Sequence, residues 1–499
     1  MVASRPVSPR GPIAPPGGVG HALLLLFLLW AATGWAGNRP NIVLLMSDDQ
    51  GWGETGYNGH PHVLTPTLDA MARTGLRFDR FYAASPLCTP TRASLLTGRH
   101  ANRSGAFRPN WATRPEEITV AHILREAGYR TGHFGKWHLG PVEAHSPLNP
   151  RAMGFDASLS HDNFFELDPR LSRDGAPPER IAGEGSAVIV EAALAFAAQA
   201  HRDGRPFMVM VHFGSPHDPY EAGPADLARY PDVPLPLRAR FAEITAMDRA
   251  IGTLRSALAE LGVRDDTLIW FKSDNGISRE GIPVAQHADL FNGGWRGAKG
   301  ELYEGGLLVP AILEWPALVR EGRVSSAPVT TSDVLLTLLD LLDLDHPAPG
   351  RPLDGMSQRA LIETGVAPPR RAPLCFWRYP SERETAHESW LPAAQLQGTL
   401  STARRDTGVL FRNHRHPVAR EDDFGGAAAC RDERYKLVVG APYRAAPDTA
   451  REELFDLQLD PFETHNLASA HPEIVARLRA DLATWQRSVE RSLTGADYR

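Results

Sequence analysis

Short apolar runs alternate with longer amphipathic stretches along this chain, and this pattern most limits the folds open to it. Continuous β-type hydrophobic runs occur at Asn41–Met46, Pro206–Phe213 and Thr267–Phe271. Runs of this kind are typical of strands that are buried on both faces of a parallel sheet. Stretches with helical periodicity lie between them, at Thr119–Ala127, Ser186–His201 and Leu237–Leu261. The alternation predicts an α/β domain with a large, mostly parallel sheet flanked by helices.

The rest of the chain predicts a second, smaller unit. Leu307–Trp315 has the pattern of another strand and Ser332–Leu344 that of an apolar helix, after which prolines punctuate Asp345–Pro373. A chain of 499 residues is too long for one ordinary core. We therefore predict a main domain over residues 38–370 and a subdomain over 371–499. Its expected elements are strands at Arg434–Val439 and Glu453–Leu459 and a helix at Pro472–Ser492.

The N-terminus has the features of an export signal. Arg5 and Arg10 precede the apolar run Ala22–Ala32, and Gly34-Trp35-Ala36 places small residues at alternate positions. The run is shorter than the roughly 20 residues that span a bilayer. Residues 1–36 are therefore predicted to be a cleaved signal peptide, with no stable membrane span; an uncleaved or lipid-associated N-terminus is the alternative.

Charge and cysteine content exclude some classes of protein. The formal net charge is −6, which gives no reason to expect a nucleic-acid partner. Three cysteines, Cys88, Cys375 and Cys430, do not make a disulfide framework. Cys375 and Cys430 are either a disulfide pair in an exported protein or two buried thiols, and the sequence leaves both open.

Two of the predicted strands end in similar polar pairs, Asp48-Asp49 and Asp274-Asn275. The carboxyl ends of parallel strands meet at one edge of a sheet, where ligands bind. A single Asp-Asp pair is more often a loop or helix cap. Two such pairs in one chain favour a shared cation, because clustered carboxylates repel one another. An all-oxygen set indicates Ca²⁺, with Mg²⁺ as the alternative.

Cys88 is predicted to lie just before a helix, because Pro90 suits a first helical turn and Ala93–Leu96 continues it. Helix N-termini favour negative charge, so an unmodified Cys88 is expected to have a lowered thiol pKa and to be reactive. Arg92, one turn further on, is placed to stabilise an oxyanion.

The segment Cys88-Thr89-Pro90-Thr91-Arg92, continued by Ala93-Ser94-Leu95-Leu96-Thr97-Gly98-Arg99, resembles the signature of the formylglycine-dependent sulfatases. Thr91 stands where sulfatases most often have Ser or Ala. Three further segments strengthen the resemblance to arylsulfatases and N-acetylgalactosamine-6-sulfatases: Gly135–Gly140 (GKWHLG), Ser215–Pro219 (SPHDP) and Arg296–Gly306 (RGAKGELYEGG).

The resemblance implies an alkaline-phosphatase-like α/β core and a small C-terminal α+β subdomain with an antiparallel sheet. It implies a sulfuric ester hydrolase that acts on a sulfated carbohydrate or an aryl sulfate. A maturation enzyme would convert Cys88 to Cα-formylglycine. By the same resemblance a divalent metal, usually calcium, is held by the modified residue 88 and by Asp48, Asp49, Asp274 and Asn275.

The resemblance also assigns roles to the cationic side chains. Lys136, His217 and Lys299 would bind the sulfate group, and His138 would act in proton transfer. Ser160 is carried over as a further substrate contact. These residue types suit the chemistry, since Lys136, Lys299 and Arg92 would stabilise anionic charge and histidines move protons near neutrality.

Two other functions are compatible with parts of this pattern. A phosphonate or phosphodiester hydrolase of the same superfamily would use similar residues, although the GKWHLG and EGG segments favour a sulfatase. A non-catalytic glycan-binding protein would have no use for the full set of catalytic residues.

Overall fold

The computed structural model describes Met1 and residues 39–165, 167–379, 388–400, 408–416, 418, 424–440 and 451–498. The predicted signal peptide lies outside these residues. Pro40–Arg499 form one compact unit. Within the described part of the chain, no helix is both long and apolar enough to cross a membrane.

A large sheet, of eleven strands within the described residues, forms the centre of this unit. Its strands are β1 (Asn41–Ser47), β2 (Leu76–Tyr82), β3 (Arg130–Lys136), β4 (Ala157–His161), β5 (Arg170–Arg173), β6 (Glu179–Arg180), β7 (Phe207–His212), β8 (Thr267–Ser273), β9 (Leu308–Glu314), β10 (Arg323–Ser325) and β11 (Val329–Thr330). Their order is β10-β2-β9-β8-β1-β7-β3-β4-β5-β6, and β11 also pairs with β2. The central pairs β8-β1, β1-β7, β7-β3 and β3-β4 are parallel, whereas β9 runs antiparallel to both β8 and β2.

Helices cover both faces of this sheet. The helices of the described residues are α1 (Pro66–Thr74), α2 (Cys88–Thr97), α3 (Val120–Glu126), α4 (Gly185–Arg202), α5 (Pro224–Leu227), α6 (Leu237–Glu260), α7 (Glu304–Leu307), α8 (Asp333–Leu341), α9 (Arg359–Thr364), α10 (Ala393–Leu396) and α11 (Pro472–Leu493). Successive residues of β1 point to opposite sides: Leu44 packs with the layer of α2, α3 and α8, and Leu45 packs with that of α1, α4 and α6. The continuous hydrophobic run of β1 follows from this burial on both faces.

A separate antiparallel sheet lies in the C-terminal part. It is formed by β12 (Leu374–Trp377), β15 (Ala428–Arg431), β16 (Tyr435–Gly440) and β17 (Arg451–Asp456), in that order, and α11 packs against it. A two-stranded sheet pairs β13 (Gln397–Leu400) with β14 (Gly408–Leu410). The predicted fold class is confirmed. The predicted domain boundary after residue 370 falls just before β12.

Cys375 and Cys430 stand opposite each other on β12 and β15 and form a disulfide. The sequence leaves open a disulfide or two buried thiols at these positions, and the structure has the disulfide. Cys88 is the free cysteine among the described residues, and it is buried.

Candidate active site

Four of the five predicted metal ligands, Asp48, Asp49, Asp274 and Asn275, lie together at the carboxyl ends of β1 and β8. These strands are paired neighbours, with Ser47 opposite Ser273, so the residues that follow them meet. The main-chain N–H of Asp49 donates to Asp274 Oδ1 at 3.0 Å, and Asn275 Nδ2 donates to Asp49 Oδ1 at 2.8 Å. All four side chains are buried.

Two oxygen atoms in this group have no hydrogen-bond partner among the described residues, Asp48 Oδ1 and Asn275 Oδ1. Asp48, Asp274 and Cys88 each offer a ligand atom, and these atoms lie within 4.8 Å of one another. Burial and the charge of Asp48 raise the pKa of Asp274 to about 7. Unpartnered buried oxygens are costly, and hard oxygen donors are the ligands that Ca²⁺ and Mg²⁺ prefer. The residues present therefore fit a divalent cation.

Cys88 lies beside this group as the first residue of α2, every residue of which is buried. Burial raises the pKa of the Cys88 thiol to about 11, although Lys136 and Lys299 oppose the shift. The expectation of a lowered pKa is therefore wrong. Desolvation raises the thiol pKa more than the cations and the helix N-terminus lower it. The negative charges of Asp274 and Asp48 raise this pKa further. An unmodified Cys88 is a poor thiolate nucleophile.

Arg92 is hydrogen-bonded to one of the predicted metal ligands. Its Nε and Nη2 donate to Asp274 Oδ2 at 3.1 and 2.8 Å, and Nη1 donates to the carbonyl oxygen of Lys136 at 3.1 Å. All three groups are buried. Arg92 thus holds Asp274 against the end of β3. These contacts are with the protein itself, so the role of Arg92 in stabilising an oxyanion stays a prediction.

Two lysines contact different carboxylates of this group. Lys136 Nζ donates to Asp48 Oδ2 at 2.5 Å. Lys299 Nζ donates to Asp49 Oδ2 at 2.7 Å and lies 3.2 Å from His217 Nε2. His217 also lies 3.5 Å from Asp49 Oδ2 and is stacked on Phe164. The structure thus brings the predicted cations of three distant segments to one site.

The loop after β8 lies in close contact with α7 and with the segment that carries Lys299, whose N–H donates to the carbonyl oxygen of Ile277 at 2.8 Å. The N–H of Gly276 donates to the carbonyl oxygen of Gly306 at 3.0 Å. A Cβ atom on Gly276 would lie 2.0 Å from the carbonyl oxygen of Gly305. Only glycine permits this approach of the EGG segment to the loop that carries Asp274 and Asn275.

His138 follows β3 in a left-handed backbone conformation, with φ of 56°. Both ring nitrogens are buried without a hydrogen-bond partner among the described residues. The Thr89 hydroxyl donates to the carbonyl oxygen of His138 at 2.9 Å. This hydrogen bond connects His138 to the helix that begins at Cys88. Burial, with the charges of Lys136 and Arg92, holds the pKa of His138 well below its ordinary value. The imidazole of His138 is therefore neutral near pH 7 and keeps one unprotonated ring nitrogen.

The Ser160 hydroxyl is buried and lies 2.8 Å from His133 Nδ1. His133 Nε2 in turn lies 3.3 Å from His212 Nδ1, and the same atom of His212 lies 3.3 Å from the Lys136 carbonyl oxygen. These contacts place Ser160 in a buried polar chain behind Lys136. They provide no contact with the carboxylates, so its role as a substrate contact stays a prediction.

Sequence reasoning missed two residues that shape the site, Glu54 and Arg240. Arg240 pairs with Glu54 at 2.6 Å and also donates to the carbonyl oxygens of Asp49 and Pro216, at 2.8 and 2.9 Å. It thereby joins α6 to the segments that carry Asp49 and His217. Arg240 lies inside an amphipathic helix pattern, where charged side chains usually face solvent, so no local signal identified it.

Glu280 and Asp162 were not assigned roles either. Glu280 Oε2 lies 3.3 Å from Lys299 Nζ at the outer side of the site. Asp162 is buried and accepts from the N–H of Val142 at 2.7 Å and from the Thr399 hydroxyl at 2.7 Å. It connects the loop after β4 to the two-stranded sheet.

The chain is similar to known proteins over most of its length. The Sulfatase family model matches residues 40–344, more than half of the chain. N-acetylgalactosamine-6-sulfatase of Mus musculus is 33% identical over 390 residues, covering 71% of this chain and 72% of the relative. Arylsulfatase A of Homo sapiens is 32% identical over 497 residues, covering 91% and 89%.

Solved structures agree in fold. A sulfatase from Pseudoalteromonas sp. superimposes with a TM-score of 0.69 at 23% identity, covering 95% of this chain and 94% of the other. The chain belongs to the sulfatase family, whose members hydrolyse sulfuric esters. The resemblance stated from the sequence motifs is thereby confirmed.

Proposed function

We propose that this chain hydrolyses a sulfated carbohydrate or an aryl sulfate through a formylglycine made from Cys88, with a calcium ion at the adjoining carboxylates. The observation that carries the proposal is a buried thiol surrounded by Asp48, Asp274, Lys136 and Lys299, where a thiolate is disfavoured. A formylglycine hydrate supplies a geminal diol as nucleophile, and calcium supplies charge that stabilises its anionic form.

The chain's own residues would divide the remaining work. Asp48, Asp49, Asp274 and Asn275 would hold the metal, and the two unpartnered oxygens support this role. Arg92 would keep Asp274 in place. Lys136, Lys299 and His217 would bind the sulfate oxygens, where fixed cations in a dry site stabilise the charge of the transition state.

Two proton transfers are needed, and two different side chains are suited to them. The departing alcohol needs a proton, which His217 or Lys299 would donate at the open side of the site. The release of sulfate needs a base, and His138 is neutral, buried and without a partner for either ring nitrogen among the described residues. His138 would therefore accept the proton at a ring nitrogen.

We further propose export through residues 1–36, conversion by a formylglycine-generating enzyme, and a division into domains at residues 370 and 371. The relatives named above are enzymes of sulfated sugars and aryl sulfates by name, which supports that substrate class. The net charge of −6 gives no support to a nucleic-acid partner.

Mass spectrometry of the tryptic peptide Phe81–Arg92 tests the nucleophile. Conversion of a thiol to an aldehyde lowers the mass by about 18 Da, and the enzyme activity should track the converted fraction. Cys88→Ala should abolish turnover of 4-nitrophenyl sulfate. Fully active protein with only intact thiol at residue 88 would refute the proposal.

A second assay separates this function from that of a phosphonate hydrolase. Sulfur and phosphorus oxyanions are similar in size, so one site can bind both. We expect kcat/KM for 4-nitrophenyl sulfate to exceed that for 4-nitrophenyl phenylphosphonate. The opposite order would assign the chain to phosphonate hydrolysis.

A further inference from the structure

A second pocket lies where the edge of the large sheet meets the small antiparallel sheet. Its volume is about 890 Å³, within the range of small-molecule sites. The lining comes from the connection between β10 and β11, the proline-rich segment 367–373, the turn between β15 and β16, and α11. None of the residues assigned to the active site lines it.

Positive charge is concentrated in this pocket. Among the described residues, six arginines line it against three carboxylates, although the chain as a whole has a net charge of −6. The arginines are Arg80, Arg370, Arg371, Arg431, Arg434 and Arg477. A concavity whose lining has an excess of one sign of charge attracts ions of the opposite sign.

Three of the six have carboxylate partners. Arg434 pairs with Asp456 at 2.6 Å, Arg477 with Asp432 at 2.5 Å, and Arg370 with Asp333. The carboxylates of these pairs belong to the protein itself, so the charges of Arg370, Arg434 and Arg477 are largely balanced.

The other three form no ion pair with a carboxylate among the described residues, although the charge of Arg431 helps to lower the pKa of Glu304. Arg371 is exposed and makes no ion pair or hydrogen bond within that part of the chain. Arg80 donates to the carbonyl oxygen of Leu457, at 3.5 Å. Arg431 donates to the hydroxyl of Tyr82 and to the carbonyl oxygen of Asp432.

Arg431 is the most informative of these side chains. It is 1% exposed, and its Nη2 has no hydrogen-bond partner among the described residues. A buried guanidinium with an unused donor is costly, because buried polar groups are usually hydrogen-bonded and buried charges are usually paired. Its charge also acts on Arg370, whose pKa is held below its ordinary value by burial and by Arg431.

We propose that this pocket binds a sulfate oxyanion, separately from the active site. The guanidinium fork matches the paired oxygens of tetrahedral oxyanions, which is why arginine predominates at such sites. The oxyanion would be either free inorganic sulfate or a sulfate group on a saccharide; both have the same tetrahedral chemistry. The volume exceeds that of one ion and leaves room for a sugar ring.

Isothermal titration calorimetry on the full-length Lys299→Met protein tests the proposal, because this background weakens sulfate binding at the active site. The probes are sodium sulfate and sucrose octasulfate at constant ionic strength, with sucrose as the unsulfated control. The test variant is Arg80→Gln/Arg371→Gln. The matched control is Arg125→Gln, which removes an exposed charge on α3, away from the pocket.

We expect the test variant to bind the sulfated probes about tenfold more weakly or worse, since two charge-assisted contacts are lost. Arg125→Gln should leave the affinity unchanged, and sucrose should not bind. Tighter binding of the octasulfate identifies saccharide sulfate as the occupant, whereas binding of sodium sulfate alone identifies the free ion.

Equal affinity of the background protein and the test variant for both probes would overturn the proposal, as would no binding to the background protein. Turnover of 4-nitrophenyl sulfate by Arg80→Gln/Arg371→Gln in the wild-type background should be unchanged. The binding measurement needs no turnover, so its outcome is independent of the formylglycine mechanism.

Discussion

The Asn275 side chain combines two functions in one amide. Its nitrogen donates to Asp49 at 2.8 Å, while its oxygen has no donor among the described residues. The amide thus holds one carboxylate in place and leaves an oxygen for a cation. A carboxylate at this position would repel Asp49, and an aliphatic side chain would do neither task.

Asn275→Leu should therefore lower calcium affinity at least about tenfold while leaving the fold intact, because outer partners and ligands of a metal contribute effects of that size. Equilibrium dialysis with metal analysis measures the affinity. Asn292→Leu, a half-buried amide outside the proposed ligand set, is the control. Unchanged calcium binding by Asn275→Leu would remove this residue from the proposed ligands.

Lys299 is the cation whose loss should affect turnover most directly. It lies against Asp49 and His217 but is 9% exposed, on the open side of the site. Lys299→Met should lower kcat/KM for 4-nitrophenyl sulfate by about 10²- to 10³-fold, the usual effect of removing one group that stabilises the transition state. Glu280→Gln alters the same lysine's surroundings without removing a cation and should have a much smaller effect. Equal losses in the two variants would contradict a direct role for Lys299.

Among the elements, the small sheet has a covalent link of its own. The disulfide joins opposite residues of β12 and β15 and closes a loop with a sequence separation of 55 residues. Its stabilisation in the chain-entropy description comes from restricting the unfolded chain.

Cys375→Ala/Cys430→Ala should lower the free energy of unfolding by up to about 4 kcal/mol, the value for a loop of this length. Urea unfolding measures the loss, and a reductant should reproduce it in the wild-type protein. Turnover at temperatures well below the unfolding transition should stay unchanged, because neither cysteine belongs to the active site. No change in stability would show that the pair is reduced in the folded protein.

Across the whole molecule, Asp354 ties the C-terminal helix to the central domain. It accepts from Arg103 Nε and Nη2 at 2.7 Å each, from the N–H of His100 at 2.6 Å and from Trp485 Nε1 of α11 at 2.9 Å. Although burial opposes it, the charge of Arg103 and these donors hold the pKa of Asp354 well below its usual range.

A carboxyl group whose pKa is lower in the folded than in the unfolded protein stabilises the folded state. This stabilisation is fully present above the pKa of the unfolded aspartate, about 3.9, and is lost as the pH falls below that value towards the folded pKa. Asp354→Asn should thus lower the free energy of unfolding by about 3 kcal/mol at pH 7, because it leaves Arg103 without its charge partner. The difference from wild type should shrink below about pH 4. Asp343→Asn, in an exposed pair with Arg359, should cost less than about 1 kcal/mol. A pH-independent difference for Asp354→Asn would contradict this account.

The sequence by itself determined the fold class, several of the elements and the family. The strand at Asn41–Met46 and the helix at Leu237–Leu261 differ from the observed elements by one residue at one end, because hydrophobic periodicity is a local property. The meeting of Asp48 and Asp274 followed from the rule that parallel strands end at a common edge.

Only the tertiary structure decided what depends on burial and on distant partners. The pKa of Cys88 rises because the whole of α2 is buried, which a helix N-terminus in the sequence does not reveal. Arg92 faces Asp274, 182 residues away, and Cys375 meets Cys430 through the register of β12 and β15. Desolvation and long-range pairing are set by how the elements pack, so no local pattern encodes them.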